Sequence, residues 1–510
     1  MLFNSLQFLV YFIIVTLAYY YLGWSGRWRL LLLASVYFYM VFKPAYILIL
    51  GLTIGIDYLA GLWLEKTQGT ARRRVLLLSL ITNIGILVFF KYIGFFTDNA
   101  ATLFDLAGLH DVAQTVTSFS SQVFVAVLNL FGQSGITSFK DNLSILPIGL
   151  SFHTFQAMSY TIEVYRGHQK AERHFGIYAL YVMFYPQLVA GPIERPQNVL
   201  WQFHRYFRYD FENVKAGLMQ MAFGFFKKTV IADRLAMTVN QAYTQPDQQN
   251  GLTMLVATFF FTFQIYCDFS GYSDIAIGAA RVMGFDLMEN FRAPYLAQSV
   301  SEFWRRWHIS LSTWFRDYVY IPLGGSRKGE SRQYVNLLIV FLISGLWHGP
   351  NWTYVIWGGL NGFYQVLAVL REKALARFGF PATSFQRIHL PIPDRPTHLP
   401  AWRAILNTVL TFGLIMLTWV FFRAASVSDA LLILHRIATL SLLEPIRSPL
   451  NAAEMWFSLV LIGLLLLKEY HYLSIPTRHT GRFYLLFTTL IFVIYFFGVF
   501  NANQFIYFQF

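Results

Sequence analysis

The sequence has little of what soluble enzymes and secreted domains are built from. Only one of its 510 residues is a cysteine, Cys267, which excludes a disulfide within the chain, and only 13% of the residues are charged. No GxSxG, Walker, HExxH or CxxC motif occurs, so the common hydrolase elbow, phosphate loop and zinc-ligand patterns are all missing. We therefore expect no bound metal and no resident cofactor.

Hydrophobic residues are what the chain has in abundance. They make up 56% of it, aromatic residues 18%, and the mean hydropathy is +0.47, which is outside the range of soluble globular proteins. A spanning helix needs about 20 mostly apolar residues. The sequence predicts an all-α polytopic membrane protein with roughly 10 to 12 spans, plus re-entrant or amphipathic helices. The apolar runs lie at residues 8–22, 30–50, 75–96, 145–165, 175–190, 251–269, 334–347, 352–370, 404–422, 456–467 and 483–500.

The formal net charge of +13 would suggest nucleic acid as the partner of a soluble protein. Here the basic residues lie between apolar runs, where Lys and Arg mark cytoplasmic loops and contact anionic lipid headgroups. We expect membrane lipids and no nucleic acid as partners. Arg27 and Arg29 follow the first run, which places that loop in the cytoplasm, the N-terminus outside, and the last span running outward.

One membrane domain over residues 1–510 is the simplest organisation, because no linker and no internal repeat is evident. The stretch from about 107 to 143 is polar and serine-containing, and we expect only a short apolar helix, VFVAVLNLF, within it. The predicted parts are N-terminal helices with this polar insertion (1–144), a catalytic core (145–380), a proline-rich loop (381–400), and C-terminal helices with the FIYFQF tail (401–510).

Two histidines lie between residues 301 and 349, in a chain whose sequence is otherwise typical of a membrane protein throughout. His348 lies in GLWHGPNWTYVIWGGLNG, where glycines allow a helix or ligand to approach the backbone closely. A neutral imidazole can take a proton from a hydroxyl and return it to a leaving group. A histidine that only hydrogen-bonds across helices would look the same in sequence.

His308 lies in WRRWHISLSTWFRDY, which is too charged to span lipid. We expect residues 303–320 to form a tilted, partly re-entrant element on the cytoplasmic side. Arg305 and Arg306 could bind the phosphates of an anionic donor through their guanidinium groups, or could merely mark topology. With Trp304 and Trp347 they form the predicted donor-binding group, while His308 could equally be solvated among headgroups.

Two other arrangements of polar residues are weaker. His389 and Asp394 have the H-x4-D spacing of some glycerolipid acyltransferases, but five prolines in that loop leave no helical scaffold to hold the pair. Asp268 and Asp274 lie six positions apart, on roughly opposite faces of a helix. We expect them to bond to hydroxyls or arginines rather than to relay protons.

With these residues laid out, the chain resembles the membrane-bound O-acyltransferase (MBOAT) family, in the branch of the alginate and peptidoglycan O-acetyltransferase membrane subunits. The resemblance extends from about residue 145 to the end of the chain. The stretches that carry it are FYPQLVAGPIERP, GFFKKTVIADRLA, YCDFSGYSDIAIGAARVMGFDLMENFRAPY, SEFWRRWHISLSTWFRDYVYIPLGGSRKG, SGLWHGPNWTYVIWGGLNG, TWVFFRA and FIYFQF.

The resemblance implies an MBOAT-type bundle of tilted helices around a central funnel. His348 matches the essential histidine of the family and His308 its second histidine, and the donor would be acetyl-CoA from the cytoplasm. The terminal FIYFQF resembles an acyl-relay motif in which Tyr507 would carry the acetyl group. The alternative for this tail is an aromatic anchor at the membrane interface.

The resemblance also implies partners and a location. The acetyl group would reach an envelope polysaccharide through an extracytoplasmic Ser-His-Asp acetyltransferase, and the chain would lie in the bacterial inner membrane. Two alternatives stay open: a transporter or flippase for a polysaccharide or lipid-linked sugar, suggested by the many spans and intramembrane charges, and an acyltransferase that modifies a protein or lipid with a long-chain donor.

Overall fold

Helices make up the regular structure of the chain in a computed structural model that describes residues 1–130, 149–377, 401–471, 479–500 and 505–506. Within those ranges there is no β-strand, and the predicted all-α fold is confirmed. The helices are α1 (Leu6–Tyr21), α2 (Trp24–Met40), α3 (Tyr46–Lys66), α4 (Gly69–Leu87), α5 (Ile93–Leu106), α6 (His110–Leu130), α7 (Leu150–Arg166), α8 (Phe175–Met183), α9 (Pro196–Val199), α10 (Phe211–Phe225), α11 (Asp233–Thr244), α12 (Gly251–Val282), α13 (Val300–Arg306), α14 (Ile309–Phe315), α15 (Glu330–His348), α16 (Trp352–Arg377), α17 (Ala401–Arg423), α18 (Val427–Ala438), α19 (Ala452–Tyr470) and α20 (Thr480–Phe497).

Several of these helices are long and apolar enough to cross a membrane. Within the described part of the chain, five stretches meet that requirement of length and hydropathy. They are α3, the run Gly69–Leu106 that contains α4 and α5, α12, residues 402–423 of α17, and α20. The chain is a multi-pass membrane protein, as its composition predicts.

Prolines divide two of the predicted apolar runs. The run 30–50 is not one helix, because α2 ends at Met40 and α3 begins at Tyr46, on either side of Pro44. The run 175–190 is helical only as far as Met183, and Pro186 follows in a buried loop. A residue before proline is disfavoured in the helical region, which accounts for both breaks.

Two other stretches are more helical than the sequence predicts. The polar stretch after residue 107 contains α6, a helix of 21 residues that packs against α5 rather than a short apolar segment. The run 251–269 continues as α12 to Val282, a helix of 32 residues. Residues 131–148 and 378–400 lie outside the described residues, and with them the proline-rich loop, His389 and Asp394.

The long helix α12 is almost entirely buried and packs along α10. The two backbones touch at two pairs of glycines. A Cβ atom built at Gly217 would lie 2.6 Å from the carbonyl oxygen of Gly278, and one at Gly224 would lie 2.6 Å from that of Gly271. Side chains would hold the helices apart, so these glycines are what allow the contact.

The two carboxylates of α12 form ion pairs with lysines. The prediction that they would bond to hydroxyl groups or arginines is therefore wrong. Asp268 is paired with Lys228, and Asp274 Oδ2 lies 2.6 Å from Lys227 Nζ. Gln220 also donates to Asp274. A buried carboxylate is tolerated when a cation and further hydrogen bonds compensate it, which is why the helix continues through both positions.

The predicted re-entrant element 303–320 consists of two short helices and a π-helical turn. Helices α13 and α14 are separated at His308, and the π turn Arg316–Tyr320 follows α14. Trp314 Nε1 donates to the carbonyl oxygen of Phe155 at 3.1 Å, which fixes α14 against α7. The amide of Ile193, in the buried loop after α8, donates to Ser310 Oγ at 3.0 Å.

Candidate active site

A cavity of about 450 Å³ brings both histidines of the 301–349 segment together. It lies between α13, α14, α15 and α16, and His308 and His348 both line it. Trp304 and Arg305 line it as well. Four of the residues predicted from the sequence therefore line the same cavity.

His348 is the last residue of α15 and is only 6% exposed. Gly349 follows in an extended conformation, so the helix ends directly at the histidine. The imidazole packs between aromatic rings, with Trp357 from α16 and Phe422 from α17 each 5.1 Å away between ring centroids. These rings restrict the orientation of the imidazole and shield it from lipid.

The end of α15 is held by two residues from the π-helical turn Val88–Tyr92. Lys91 Nζ donates to the carbonyl oxygens of Trp347 and His348 at 2.8 and 3.0 Å, and Tyr92 Oη donates to that of Trp347 at 2.9 Å. A cation at a helix C-terminus satisfies carbonyl groups that have no partner within the helix and interacts favourably with the helix dipole. Lys91 thus fixes the backbone of His348.

Replacing Lys91 with methionine is expected to destabilise the protein by about 1–3 kcal/mol, because the carbonyl oxygen of His348 loses its donor and that of Trp347 keeps only the hydroxyl of Tyr92. Thermal unfolding in detergent measures the change. Arg74→Met is the control, since Arg74 is exposed on α4 and surface substitutions stay within about 0.5 kcal/mol. Equal unfolding temperatures for the two variants would contradict a role for Lys91 in holding α15.

His308 lies at a break in the backbone between α13 and α14. Its φ angle is +45°, a left-handed conformation that is uncommon for residues other than glycine. The side chain is 1% exposed and packs against the ring of Phe269, 4.6 Å away between centroids. Burial lowers the pKa of the His308 imidazole to about 3, so it is neutral at pH 7.

The two predicted arginines lie in different surroundings. Arg305 lines the cavity. Arg306 is 4% exposed and its Nη2 lies 2.7 Å from the carboxylate of Glu302, one turn earlier on α13. Its Nη1 also donates to the carbonyl oxygen of Arg292. Arg306 therefore braces α13 against the preceding loop.

The two predicted tryptophans also differ. Trp304 lines the cavity and packs edge-on against Trp357. Trp347 turns to the other side of α15, where its ring stacks on Phe155 at 5.1 Å. Its contribution to the site is the carbonyl oxygen that Lys91 and Tyr92 hold.

Two further arginines, Arg292 and Arg316, line the cavity beside Arg305. Their side chains are 52% and 33% exposed, whereas both histidines are buried. The cavity therefore joins partly exposed guanidinium groups to buried imidazoles. Neither arginine was predicted from the sequence as part of the site, because only folding brings the loop after α12 next to α14.

Tyr507 lies outside the described residues, but the two residues before it are described. Phe505 and Ile506 are buried, at 1% and 3% exposure. The chain therefore folds back into the protein after α20. Within the described part of the chain, no group of three or more His, Cys, Asp or Glu side chains could hold a metal ion.

This arrangement suits a reaction in which a large anionic molecule is bound by the arginines and its reactive group is placed near a buried base. Guanidinium groups bind phosphates, and an imidazole that is neutral at pH 7 can accept a proton. Ring packing buries the imidazole of His348, and electrostatic interactions are stronger in such surroundings than in water.

Comparison with known proteins agrees with this chemistry. Residues 73–390 match the MBOAT, membrane-bound O-acyltransferase family. A protein of Pseudomonas aeruginosa described as a probable alginate O-acetylase is 37% identical over 435 residues, covering 84% of this chain and 73% of that protein. A peptidoglycan O-acetyltransferase of Helicobacter pylori is 34% identical over 440 residues, covering 81% of this chain and 73% of that protein.

A more distant similarity extends to a third kind of cell-envelope protein. A teichoic acid D-alanyltransferase of Streptococcus thermophilus is 28% identical over 298 residues, covering 54% of this chain and 68% of that protein. The names of the three proteins describe acyl transfer to alginate, to peptidoglycan and to teichoic acid.

Proposed function

Because the chain belongs to the membrane-bound O-acyltransferase family and is an O-acyltransferase, we propose that it takes an acetyl group from cytoplasmic acetyl-CoA and passes it across the bacterial inner membrane. The final acceptor is a hydroxyl group of an envelope or extracellular polysaccharide, of the alginate or peptidoglycan type. The relatives named for those two reactions support this choice of donor group and acceptor class.

The observation that carries the proposal is the shared cavity of His308, His348 and three arginines. Arg292, Arg305 and Arg316 suit the phosphates of coenzyme A, which is too charged to cross lipid. With the phosphates held there, the thioester would extend towards the buried histidines. Only the small acetyl group would then travel further.

His348 acts as the general base in this proposal. One imidazole nitrogen takes the proton of an acceptor hydroxyl while its oxygen attacks the thioester carbonyl. The new carbon–oxygen bond forms and the carbon–sulfur bond breaks, and the leaving thiolate takes the proton back from the imidazolium. His308, neutral and beside the same cavity, is placed to orient donor or acceptor by hydrogen bonding.

The first acceptor in this proposal is the hydroxyl of Tyr507. The burial of Phe505 and Ile506 supports it, because a tail that only anchored at the interface would face lipid. An extracytoplasmic Ser-His-Asp acetyltransferase would then move the acetyl group from the phenol oxygen to the polysaccharide. Phenyl esters are good acyl donors, so the second transfer is downhill.

The test supplies acetyl-CoA labelled in its acetyl group to the purified protein, with thiol release followed by absorbance and the label mapped by mass spectrometry. We expect thiol release that depends on His348, and one acetyl group on the peptide that contains Tyr507. The Tyr507→Phe variant is expected to lose that label. A wild-type tail without label would overturn the relay.

The same assay separates the alternatives. A long-chain acyl-CoA used as well as acetyl-CoA would point to protein or lipid acylation instead. A transporter predicts that His348→Ala leaves thioester turnover unchanged. We expect the wild-type protein to prefer acetyl-CoA over the long-chain donor. We expect the His348→Ala variant to lose thioester turnover.

A further inference from the structure

A second buried cluster of charge lies away from the cavity. Lys228, Asp233 and Asp268 are 1%, 2% and 3% exposed, and they come from the π-helical turn Phe226–Ala232, α11 and α12. Lys228 Nζ lies 2.9 Å from Asp233 Oδ1 and also pairs with Asp268 Oδ1. Two carboxylates share one ammonium group, so the cluster carries an excess of acceptors.

The second oxygen of Asp268 binds the C-terminal segment. Asp268 Oδ2 accepts a hydrogen bond of 2.8 Å from the backbone amide of Ile506. Lys228 Nζ lies over the ring of Phe505, 4.5 Å from the ring centroid. The same ring packs edge-on against Tyr272, with 4.4 Å between the ring centroids. Residues 505 and 506 are thus held by one ion-assisted hydrogen bond and one cation–π contact.

The chain approaches this cluster along the same π turn. The amide of Val499 donates to the carbonyl oxygen of Thr229 at 2.9 Å. Just before it, Arg234 donates to the carbonyl oxygen of Phe497, the last residue of α20, at 2.8 Å. A π turn leaves carbonyl groups outside the regular helical ladder, and here one of them receives the returning chain.

We infer that the Lys228–Asp233–Asp268 cluster is a docking site for the backbone of the chain's own C-terminal segment, with Asp268 as a positioning residue. Its contact is to a main-chain amide, so it fixes the register of the segment rather than selecting a side chain. Replacing a buried ion pair by apolar residues is often neutral for stability, so general stability does not by itself account for this cluster.

The docking site is connected to the cavity through α12. Asp268 is followed by Phe269, whose ring contacts His308. Tying Ile506 to Asp268 therefore ties the tail to a helix that also packs on a cavity residue. If Tyr507 is the proposed acetyl carrier, the residue before it is fixed relative to a helix that contacts His308; this last step rests on the proposed function, whereas the docking itself does not.

Hydrogen exchange of the Ile506 amide tests the docking directly. In the full-length wild-type protein we expect this amide to be protected. The Asp268→Leu variant removes the acceptor and leaves Lys228 neutralised by Asp233. We expect exchange at Ile506 to be about ten- to a hundredfold faster, the effect of losing one hydrogen bond to a charged group.

The matched control is Asp274→Leu. Asp274 lies on α12, as Asp268 does, and its Oδ2 is 2.6 Å from Lys227 Nζ. Lys227 belongs to the same π turn as Lys228. Its hydrogen bond and ion pair are with Gln220 and Lys227, and not with the described tail residues 505 and 506. We expect Ile506 to exchange at the wild-type rate in this variant. Equal acceleration in both variants, or none in Asp268→Leu, would overturn the docking site.

A transfer assay with the same variants tests the positioning role. We expect Asp268→Leu to transfer about tenfold less acetyl to the tail peptide while turnover of acetyl-CoA with a small soluble alcohol stays near the wild-type rate, because misplacement of a reacting group by about 1 Å is costly. An equal loss of transfer to the tail and of turnover with the alcohol would show that Asp268 is needed for folding in general rather than for positioning the tail. An unlabelled wild-type tail defeats the relay but leaves the exchange result standing.

The Asp268→Asn variant guards against misfolding of Asp268→Leu. Asparagine keeps the volume and one acceptor oxygen, and it removes the charge. We expect a protected but faster-exchanging Ile506 amide, between wild type and Asp268→Leu. A rate identical to wild type would contradict a charge-assisted bond at this position.

Discussion

Replacing His348 with glutamine is expected to lower acetyl transfer by about 100- to 10,000-fold, the range for loss of a positioned general base. Glutamine is close in size and can hydrogen-bond, but it cannot take a proton from the acceptor hydroxyl at neutral pH. The rings of Trp357 and Phe422 would still enclose it. We expect kcat to fall and the KM for acetyl-CoA to change little, because the arginines that suit the phosphates are untouched.

The control for this prediction is His153→Gln. His153 is also buried, at 2% exposure, and its Nε2 lies 3.1 Å from Thr53 Oγ1 on α3. It does not line the cavity. We expect His153→Gln to alter the unfolding temperature and to keep most of the activity. If His348→Gln stayed within about threefold of wild type, the base would have to be another group.

Substituting alanine at Gly358 is expected to disrupt the site from a distance. A Cβ atom there would clash with the carbonyl oxygen of Phe341 and lie 3.1 Å from Gly345 Cα, both on α15. Helices α15 and α16 would have to separate, at a cost of about 1–3 kcal/mol or more. Because His348 lies three residues after Gly345, we also expect activity to fall by about a hundredfold.

The adjacent residue provides the control. A Cβ atom at Gly359 meets only Leu342 Cδ2 at 3.5 Å, an ordinary contact. Alanine favours a helix over glycine by about 1 kcal/mol, so Gly359→Ala is expected to be neutral or stabilising and fully active. Thermal unfolding and thiol release on both variants decide the matter. Similar losses in the two would show that the helix crossing is not what positions His348.

Much of the fold and part of the site could be predicted from the sequence. The helical class follows from hydropathy, and the two histidines stand out because ionisable groups are rare within apolar sequence. The breaks at Pro44 and Pro186 were missed because the apolar pattern runs through them. The length of α12 was underestimated because the lysines that neutralise its carboxylates come from another part of the chain.

The composition of the cavity depends on contacts between distant segments. Arg292 and Arg305 are separated in sequence by the whole of the APYLAQSVSEFW stretch, and nothing local indicates that both reach one space. Lys91 is more than 250 residues from the carbonyl oxygens that it holds. Pattern reasoning detects unusual residues, but it cannot pair them.

The three described π-helical turns, Val88–Tyr92, Phe226–Ala232 and Arg316–Tyr320, each contain a basic side chain that serves a site discussed above. A π turn is a regular helix with one residue gained. Loss of a single residue there would restore an ordinary helix and leave the flanking turns in register, yet would remove the local bulge that sets the direction of the basic side chain. Among diverging relatives, single-residue gaps at these three positions should therefore mark lineages in which the chemistry has been given up while the fold survives.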